Sequence, residues 1–364
     1  MGSFISGRVT TAMLTNNYLA GMNRNLSNLQ TINNQLTTGK EISRPSDNPY
    51  KVARTMQLYS SIDANKQYNE NIKDTLNWLD TTDTALGQAT TVLQRIRQLM
   101  VSAGNAAYGT KERESINNEV KERIGELGQI LNTNFDGRYV FGGTKVASIP
   151  IDVNKNDVNG NILAYADNNG NRIGINADGS YKDSVGEPLN SQLGASLTTE
   201  VSQGVTIDYN VTAQSLLQFE TGRYKNAAGE YVNSSDPGAI KETVNAMDLF
   251  KNIVRNLSSP DNLDSNGDGI TNINEITTKN LSDMDKVIDN LLKIRAEVGA
   301  KQNRMESAQS QNEDSNYNMT DILSKTEDID WTQKTIEYYM AKTVYQASLQ
   351  VSAQVLPATL LDYL

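Results

Sequence analysis

The chain has 364 residues, no cysteine and no histidine, a formal net charge of −10 and a sequence pI of about 4.8. This excludes disulfides, thiol nucleophiles, His-based triads and HExxH zinc sites, and it argues against nucleic acid as a partner, because phosphate binding needs clustered Lys and Arg. Hydrophobic residues make up 37% and aromatics only 6%, which suits long helices with narrow apolar stripes better than a large aromatic core. No segment carries the roughly 18 consecutive apolar residues of a membrane span. The opening residues lack the basic stretch and apolar run of a Sec signal peptide.

The first predicted helix covers residues 9–37. Its apolar seam, Ala12, Thr15, Leu19, Met22, Leu26, Leu29, Asn33 and Leu36, advances in steps of three and four, the spacing of a coiled-coil face. Asn33 is placed on that seam, where a buried amide fixes register at a cost in stability. Gly39 and Pro45 interrupt the chain over 36–53, and Asn48–Pro49 reads as an N-cap followed by proline at the first helical position. A second helix runs from about Pro49 to Ala103 with two adjacent stripes, one through Ile72, Leu76, Leu79, Asp83, Leu86, Thr90, Leu93, Arg97 and Met100, the other through Ala85, Ala89, Val92, Ile96 and Leu99. So wide an apolar face belongs to a bundle. Thr110 is expected to cap a third helix that ends near Asn132 and turns Ile116, Val120, Ile124, Leu127 and Leu131 inward.

At residues 135–145, FDGRYVFGGTK, the period changes. Asp136-Gly137 between apolar residues predicts a β-hairpin. Alternating runs at Ile149–Val153, Asn161–Ala166, Arg172–Asn176 and Val201–Val211, with turns at Asn159-Gly160, Asn169-Gly170 and Asp178-Gly179, predict a β-rich insertion. Residues 238–257 are expected to return to helix, with Ile240, Val244, Met247, Phe250 (or Leu249), Val254 and Leu257 on one face.

The stretch 264–275, DSNGDGITNINE, follows the twelve-residue calcium-loop template. Asp264, Asn266 and Asp268 stand at positions 1, 3 and 5, Gly269 at the turn, Ile270 at 7 through its carbonyl, Asn272 at 9 and Glu275 at 12. Thr271 departs from the apolar residue usual at position 8, and Pro260 leaves little room for a preceding helix. Calcium and a solvated Asn/Asp/Gly turn both remain open readings.

From Met284 to Val355 a heptad seam continues with only Gly299 to weaken it, predicting a helix on the order of 100 Å long. A helix of that length needs partners along it. With helices at both ends and strands between, the chain is expected to be mainly α: long terminal helices forming a coiled coil and a helical bundle, with a β-rich outer domain inserted in the middle. The expected divisions are a terminal coiled-coil domain (1–45 and 318–364), a bundle (46–140 and 276–317), the β-rich domain (141–237) and a connecting helix with the calcium-like loop (238–275). The expected assembly seam comprises Leu19, Met22, Leu26, Leu29, Asn33, Leu36, Ile336, Met340, Ala347, Val351, Leu360 and Leu361. Diluted by Asn, Gln, Thr and Ser, it would leave two helices marginal alone, so a self-assembling tube is expected.

RVTTAMLTNNYLAGMNRNLSNLQTINNQLTTGKEISRPSDNPYKVA, Gly142-Gly143 within RYVFGGTK, VTIDYNVTAQ, RAEVGAKQNRMESAQ and YQASLQVSAQVLPATLLDYL together resemble the flagellin superfamily, most closely its hook-associated protein 3 branch. The resemblance covers residues 8–145 and 200–364. It implies a structural subunit of the bacterial flagellum, secreted through the flagellar type III pathway without a cleaved signal, at the junction between hook and filament. Implied partners are further copies of the chain, the sister junction protein, flagellin and an export chaperone, without membrane insertion. Flagellin itself is the alternative within the class. A binding module, with an adhesive β domain and calcium as cofactor, would be an added role. Catalysis would have to rest on paired carboxylates, and the acidic residues are scattered along helices.

Overall fold

The computed structural model describes residues 11–42, 44–105, 109–157, 160–173, 192–226, 231–236, 239–259 and 272–355. The architecture is mainly α, with long terminal helices and small sheets in the middle of the chain. The described helices are α1 (Thr11–Thr38), α2 (Pro49–Ala103), α3 (Thr110–Leu131), α4 (Ala213–Leu217), α5 (Ala246–Ser258), α6 (Asn272–Glu275), α7 (Leu281–Glu327) and α8 (Trp331–Val355), with a π-helical turn at Ile276–Asn280. The chain divides into two compact units, one Gln67–Asn312 and the other Met1–Lys66 with Glu313–Leu364.

The Gln67–Asn312 unit holds the hydrophobic core. On α2 the residues Ile72, Leu79, Leu86, Leu93 and Met100, each seven apart, are fully buried. On α7 the same interval buries Met284, Leu291, Val298 and Met305, and α3 adds Val120, Ile124, Leu127 and Leu131. Each such side chain contributes about 1.5–3 kcal/mol by leaving water. Polar side chains beside these seams tie the helices at the margin. Arg97 donates to Asp285 at 2.5 Å, Arg295 grips Asp83 through two bonds of 2.8 and 3.1 Å, and Gln302 donates to Asp80 at 2.7 Å. These bonds set α2 and α7 antiparallel and fix their register.

The strands form small antiparallel sheets. β1 (Asn134–Phe135) and β2 (Arg138–Tyr139) close the predicted hairpin, with Asp136 and Gly137 both at positive φ, as the twist of a tight hairpin demands. β3 (Ile151–Val153), β4 (Leu163–Ala166) and β5 (Arg172–Ile173) make one sheet against α3. β4 is buried throughout, and Arg172 binds Asp152, Asp157 and two backbone carbonyls beside it. The predicted single run at 201–211 is instead a hairpin, β6 (Thr198–Ser202) and β7 (Val205–Asp208), turning at Gly204. Asn312 of α7, itself buried, donates to the Val201 carbonyl and docks this hairpin.

Two further expectations are corrected. Residues 240–245 are not helical. They form β10 (Ile240–Asn245), paired with β8 (Gln218–Lys225), which also pairs β9 (Tyr231–Val232). Asn245 then caps α5 by accepting from the Met247 amide. The apolar residues of 240–245 sit equally well on either period, and the pairing with β8 decides for strand. Thr110 does not cap α3. Gly109 stands at the cap, and Thr110 is the first helical residue.

The FGGTK segment is a backbone crossing. A Cβ on Gly142 would lie 2.2 Å from the Lys145 carbonyl oxygen, and one on Gly143, at φ +64°, would lie 2.3 Å from that of Gln192. The Lys145 ammonium is buried here and donates to the carbonyls of Ile149 and Ala166 at 2.6 and 2.7 Å. Burial holds its pKa below the ordinary lysine value. Gly143→Ala is therefore expected to destabilise the chain by about 1–3 kcal/mol in urea unfolding, whereas Gly299→Ala, in an open helix interior, is expected to stabilise it by about 0.5–1 kcal/mol. Equal effects would contradict the crossing.

Candidate assembly interface

The Met1–Lys66 and Glu313–Leu364 unit is built on α1 and α8, which run antiparallel. Tyr18 donates its hydroxyl to the Ser348 carbonyl near one end, and the Ile329 amide donates to Gly39 near the other. On α1 a half-buried stripe passes through Thr15, Tyr18, Met22, Asn25, Leu29, Ile32 and Leu36, flanked by Leu19 and Leu26. On α8 the less exposed stripe is Lys334, Tyr338, Ala341, Tyr345, Ser348 and Ser352, again in steps of four and three. Small and amphipathic side chains thus face α1, and small residues let helix backbones approach closely.

This pair has almost no core. In the whole unit, the fully buried apolar residues among those described are Ile62, Leu323 and Ile329. The more apolar stripe of α8 is left open. Ile336, Met340, Val344 and Val351 are 46–58% exposed, and Ala347 is exposed with them. The seam expected from the sequence is corrected at one residue. Asn33 is exposed, and its neighbour Ile32 takes the inner position. Ile336, Met340, Ala347 and Val351 are not covered by α1. Leu19, Met22, Leu26, Leu29 and Leu36 are half-buried, and Leu360 and Leu361 lie outside the described residues. Tyr338, Ala341, Tyr345, Ser348 and Ser352 were missed because a more apolar heptad ran beside them. Their own heptad spacing was the available signal.

The long C-terminal helix breaks at residues 328–330, opposite the Gly39 break, and the two breaks are fastened together. Gly39, at φ +73°, closes α1 by donating to the Gln35 carbonyl. The Glu41 amide donates to Glu327 at 2.6 Å and the Ile329 amide to Gly39 at 3.1 Å, a one-residue antiparallel bridge. Lys40 adds ion pairs with Asp328 at 2.9 Å and Glu327 at 3.4 Å, while Tyr59 of α2 donates to Glu327 at 2.9 Å. Ser324 donates to Asp328 at 2.5 Å. Asp330 then caps α8, accepting from the amides of Thr332 and Gln333. The cap and the bridge end the helix without glycine or proline. Exposed ion pairs are worth at most about 1 kcal/mol each, so the backbone bonds and caps set the geometry.

For the calcium-like loop, Asp264, Asn266, Asp268 and Ile270 lie outside the described residues. Asn272 is buried and donates to the Ser259 carbonyl, and Glu275, also buried, accepts from Asn256 at 2.9 Å with Lys279 3.9 Å away. Asn272 makes this bond through its Nδ2 and not its Oδ1, whereas the Glu275 carboxylate is shared by Asn256 and Lys279. Among the described residues no group of three or more acidic side chains is placed to hold a metal ion.

The bacterial flagellin N-terminal helical region matches residues 9–146 and the bacterial flagellin C-terminal helical region matches residues 281–364. Flagellar hook-associated protein 3 of Escherichia coli (strain K12) is 24% identical over 343 residues, covering 94% of each chain. A flagellin of Bacillus subtilis (strain 168) is 24% identical over 355 residues, 92% of this chain and 95% of that one. Among solved structures, a putative flagellar hook-associated protein from Vibrio parahaemolyticus superposes with a TM-score of 0.54 at 18% identity, covering 78% of this chain and all of the other. That likeness shows the fold.

The fastening of the two breaks has a pH signature. The Ser324 hydroxyl first, and Lys40 second, hold the Asp328 carboxyl below its ordinary value, and the hydrogen bond to Asp328 raises Lys40. Asp328 therefore contributes stability above the unfolded value of about 3.9 and loses it as pH falls through its lowered folded pKa. Lys40 contributes below about 10.4 and loses it as pH rises through its raised folded pKa. A carboxyl carbon NMR titration is expected to place the Asp328 midpoint below about 3.9 and to move it upward in Ser324→Ala and in Lys40→Ala. A midpoint at or above the ordinary value in the unsubstituted chain would contradict the contact.

Proposed function

We propose, from the premise that the chain belongs to the bacterial flagellin family, that it is the structural subunit joining hook to filament. Its role is assembly and not catalysis. The observation that carries this reading is the terminal unit, where α1 and α8 pair over a seam without a core and leave the apolar stripe Ile336–Met340–Val344–Val351 open. Burying that stripe needs other helices, and further copies of the same chain supply them with matching geometry. The end-to-end match to hook-associated protein 3, at 94% of both chains, supports the junction position. Neighbours in the structure would then be the sister junction protein on one side and flagellin on the other. Export would be through the flagellar type III route with the help of a chaperone, with the terminal helices ordering outside the cell.

A second reading, a filament subunit, is favoured by the equally long match to the Bacillus subtilis flagellin. Deleting the gene separates the two. The junction role predicts hooks without filaments while a separate flagellin accumulates in the medium, and normal filaments on the deletion strain would refute it. A filament subunit predicts bare hooks with no flagellin released. In the purified protein, Ile336→Glu with Met340→Glu is expected to abolish assembly while changing monomer stability by no more than about 0.5 kcal/mol each, since both sites are exposed.

A further inference from the structure

The Gln67–Asn312 unit carries a cleft that the assembly reading does not use. It has a volume of about 680 Å³ and lies between α2, the β1–β2 hairpin and the β6–β7 region, with Asn71, Asp74, Trp78, Asp136, Arg138 and Tyr209 among its lining. The volume is that of a small-ligand site. Its wall is aromatic and held rigid. Trp78 meets Phe135 and Tyr209 edge-on, at centroid distances of 6.1 and 5.9 Å with interplanar angles of 86° and 90°. Trp78 is buried, while Phe135 and Tyr209 are half-buried and keep part of their surface open.

The polar groups here differ from the charged groups of the other large groove. That groove, about 580 Å³ along β10, is lined by Lys225, Glu242, Lys279 and Asp283, and each of these is already in an ion pair. In the aromatic cleft, the side chains of Asp74, Asp136, Arg138, Thr198 and Thr199 have no hydrogen-bond or ion-pair partner among the described residues. The Trp78 indole N–H is likewise unpartnered. Burial raises the Tyr209 phenol above its ordinary pKa, so it stays a protonated donor.

We infer that this cleft is a binding site for a short, uncharged oligosaccharide. Sugar hydroxyls both donate and accept, which suits a wall offering two carboxylates, a guanidinium, two threonine hydroxyls and a phenol within one cavity. The carbon–hydrogen faces of sugar rings match the open aromatic surface of Phe135 and Tyr209. Two carboxylates against one guanidinium, on a chain of net charge −10, repel anionic ligands such as phosphates and acidic sugars. A lipid would meet too many unpaired polar groups.

The test uses the full chain as a monomer, so it is independent of assembly. The protein has two tryptophans, and Trp331→Phe leaves Trp78 as the sole indole reporter. Maltotriose, cellotriose and triacetylchitotriose are each titrated to about 10 mM, enough to reveal a Kd of about 1 mM. At least one is expected to give a saturable change in Trp78 emission. Asp74→Asn and Asp136→Asn, both at exposed positions, are expected to weaken it by about tenfold, the loss of one charge-assisted hydrogen bond. Sialyllactose is expected to bind at least as much more weakly. Absence of a saturable response to all three neutral sugars, or a response indifferent to both substitutions, overturns the proposal. So does a loss of assembly in the substituted chains without any sugar response, which would assign the cleft to a contact between copies.

Discussion

The structure depends on one unmet requirement, the missing core between α1 and α8. In the Gln67–Asn312 unit, seven-residue spacing on α2 and α7 buries a leucine, isoleucine or methionine at nearly every return to the seam. In the terminal unit the same spacing brings tyrosine, alanine and serine against half-buried leucines. Burial at about 25 cal/mol per Å² cannot hold two helices against backbone ordering of about 1–2 kcal/mol per residue when so little apolar surface leaves water. The pair leaves its more apolar heptad exposed, and in the proposed assembly other copies of the chain cover it.

This division of labour explains the polar fittings. Arg97–Asp285, Arg295–Asp83 and Gln302–Asp80 lock register where the hydrophobic core already supplies stability. The fastening at Gly39, Lys40, Asp328 and Ile329 does different work. It joins the breaks of two helices that have little other reason to stay in register. Backbone bonds are suited to this, because they lose less to solvent screening than exposed ion pairs do.

Much of this was legible in the sequence. The helix Pro49–Ala103 lies where the sequence places it, since Asn48–Pro49 marks its start and the heptad leucines mark its face. The Asp136-Gly137 hairpin followed from turn chemistry alone. What was not legible turned on tertiary choice. Two heptads run side by side on α8, and periodicity ranks Ile336 and Met340 above Tyr338 and Ala341 although close packing selects the second set. The break at 328–330 has no glycine or proline, because Asp330 capping and the bridge to residue 40 create it. Ile240–Asn245 is short enough to fit either period until β8 pairs with it. The calcium spacing at 264–275 was legible as a template. What the fold adds is that Asn272 donates to Ser259 and Glu275 accepts from Asn256.

The most direct measurement is amide hydrogen exchange on the purified monomer and on the assembled protein, followed across α1, α2, α3, α7 and α8. The account predicts that in the monomer the amides of Gln67–Ala103, α3 and Leu281–Asn312 are strongly protected, while α1 and α8 exchange rapidly and become protected only on assembly. Strong protection of α1 and α8 in the isolated monomer, equal to that of α2, would contradict the claim that these helices wait for neighbours to complete them.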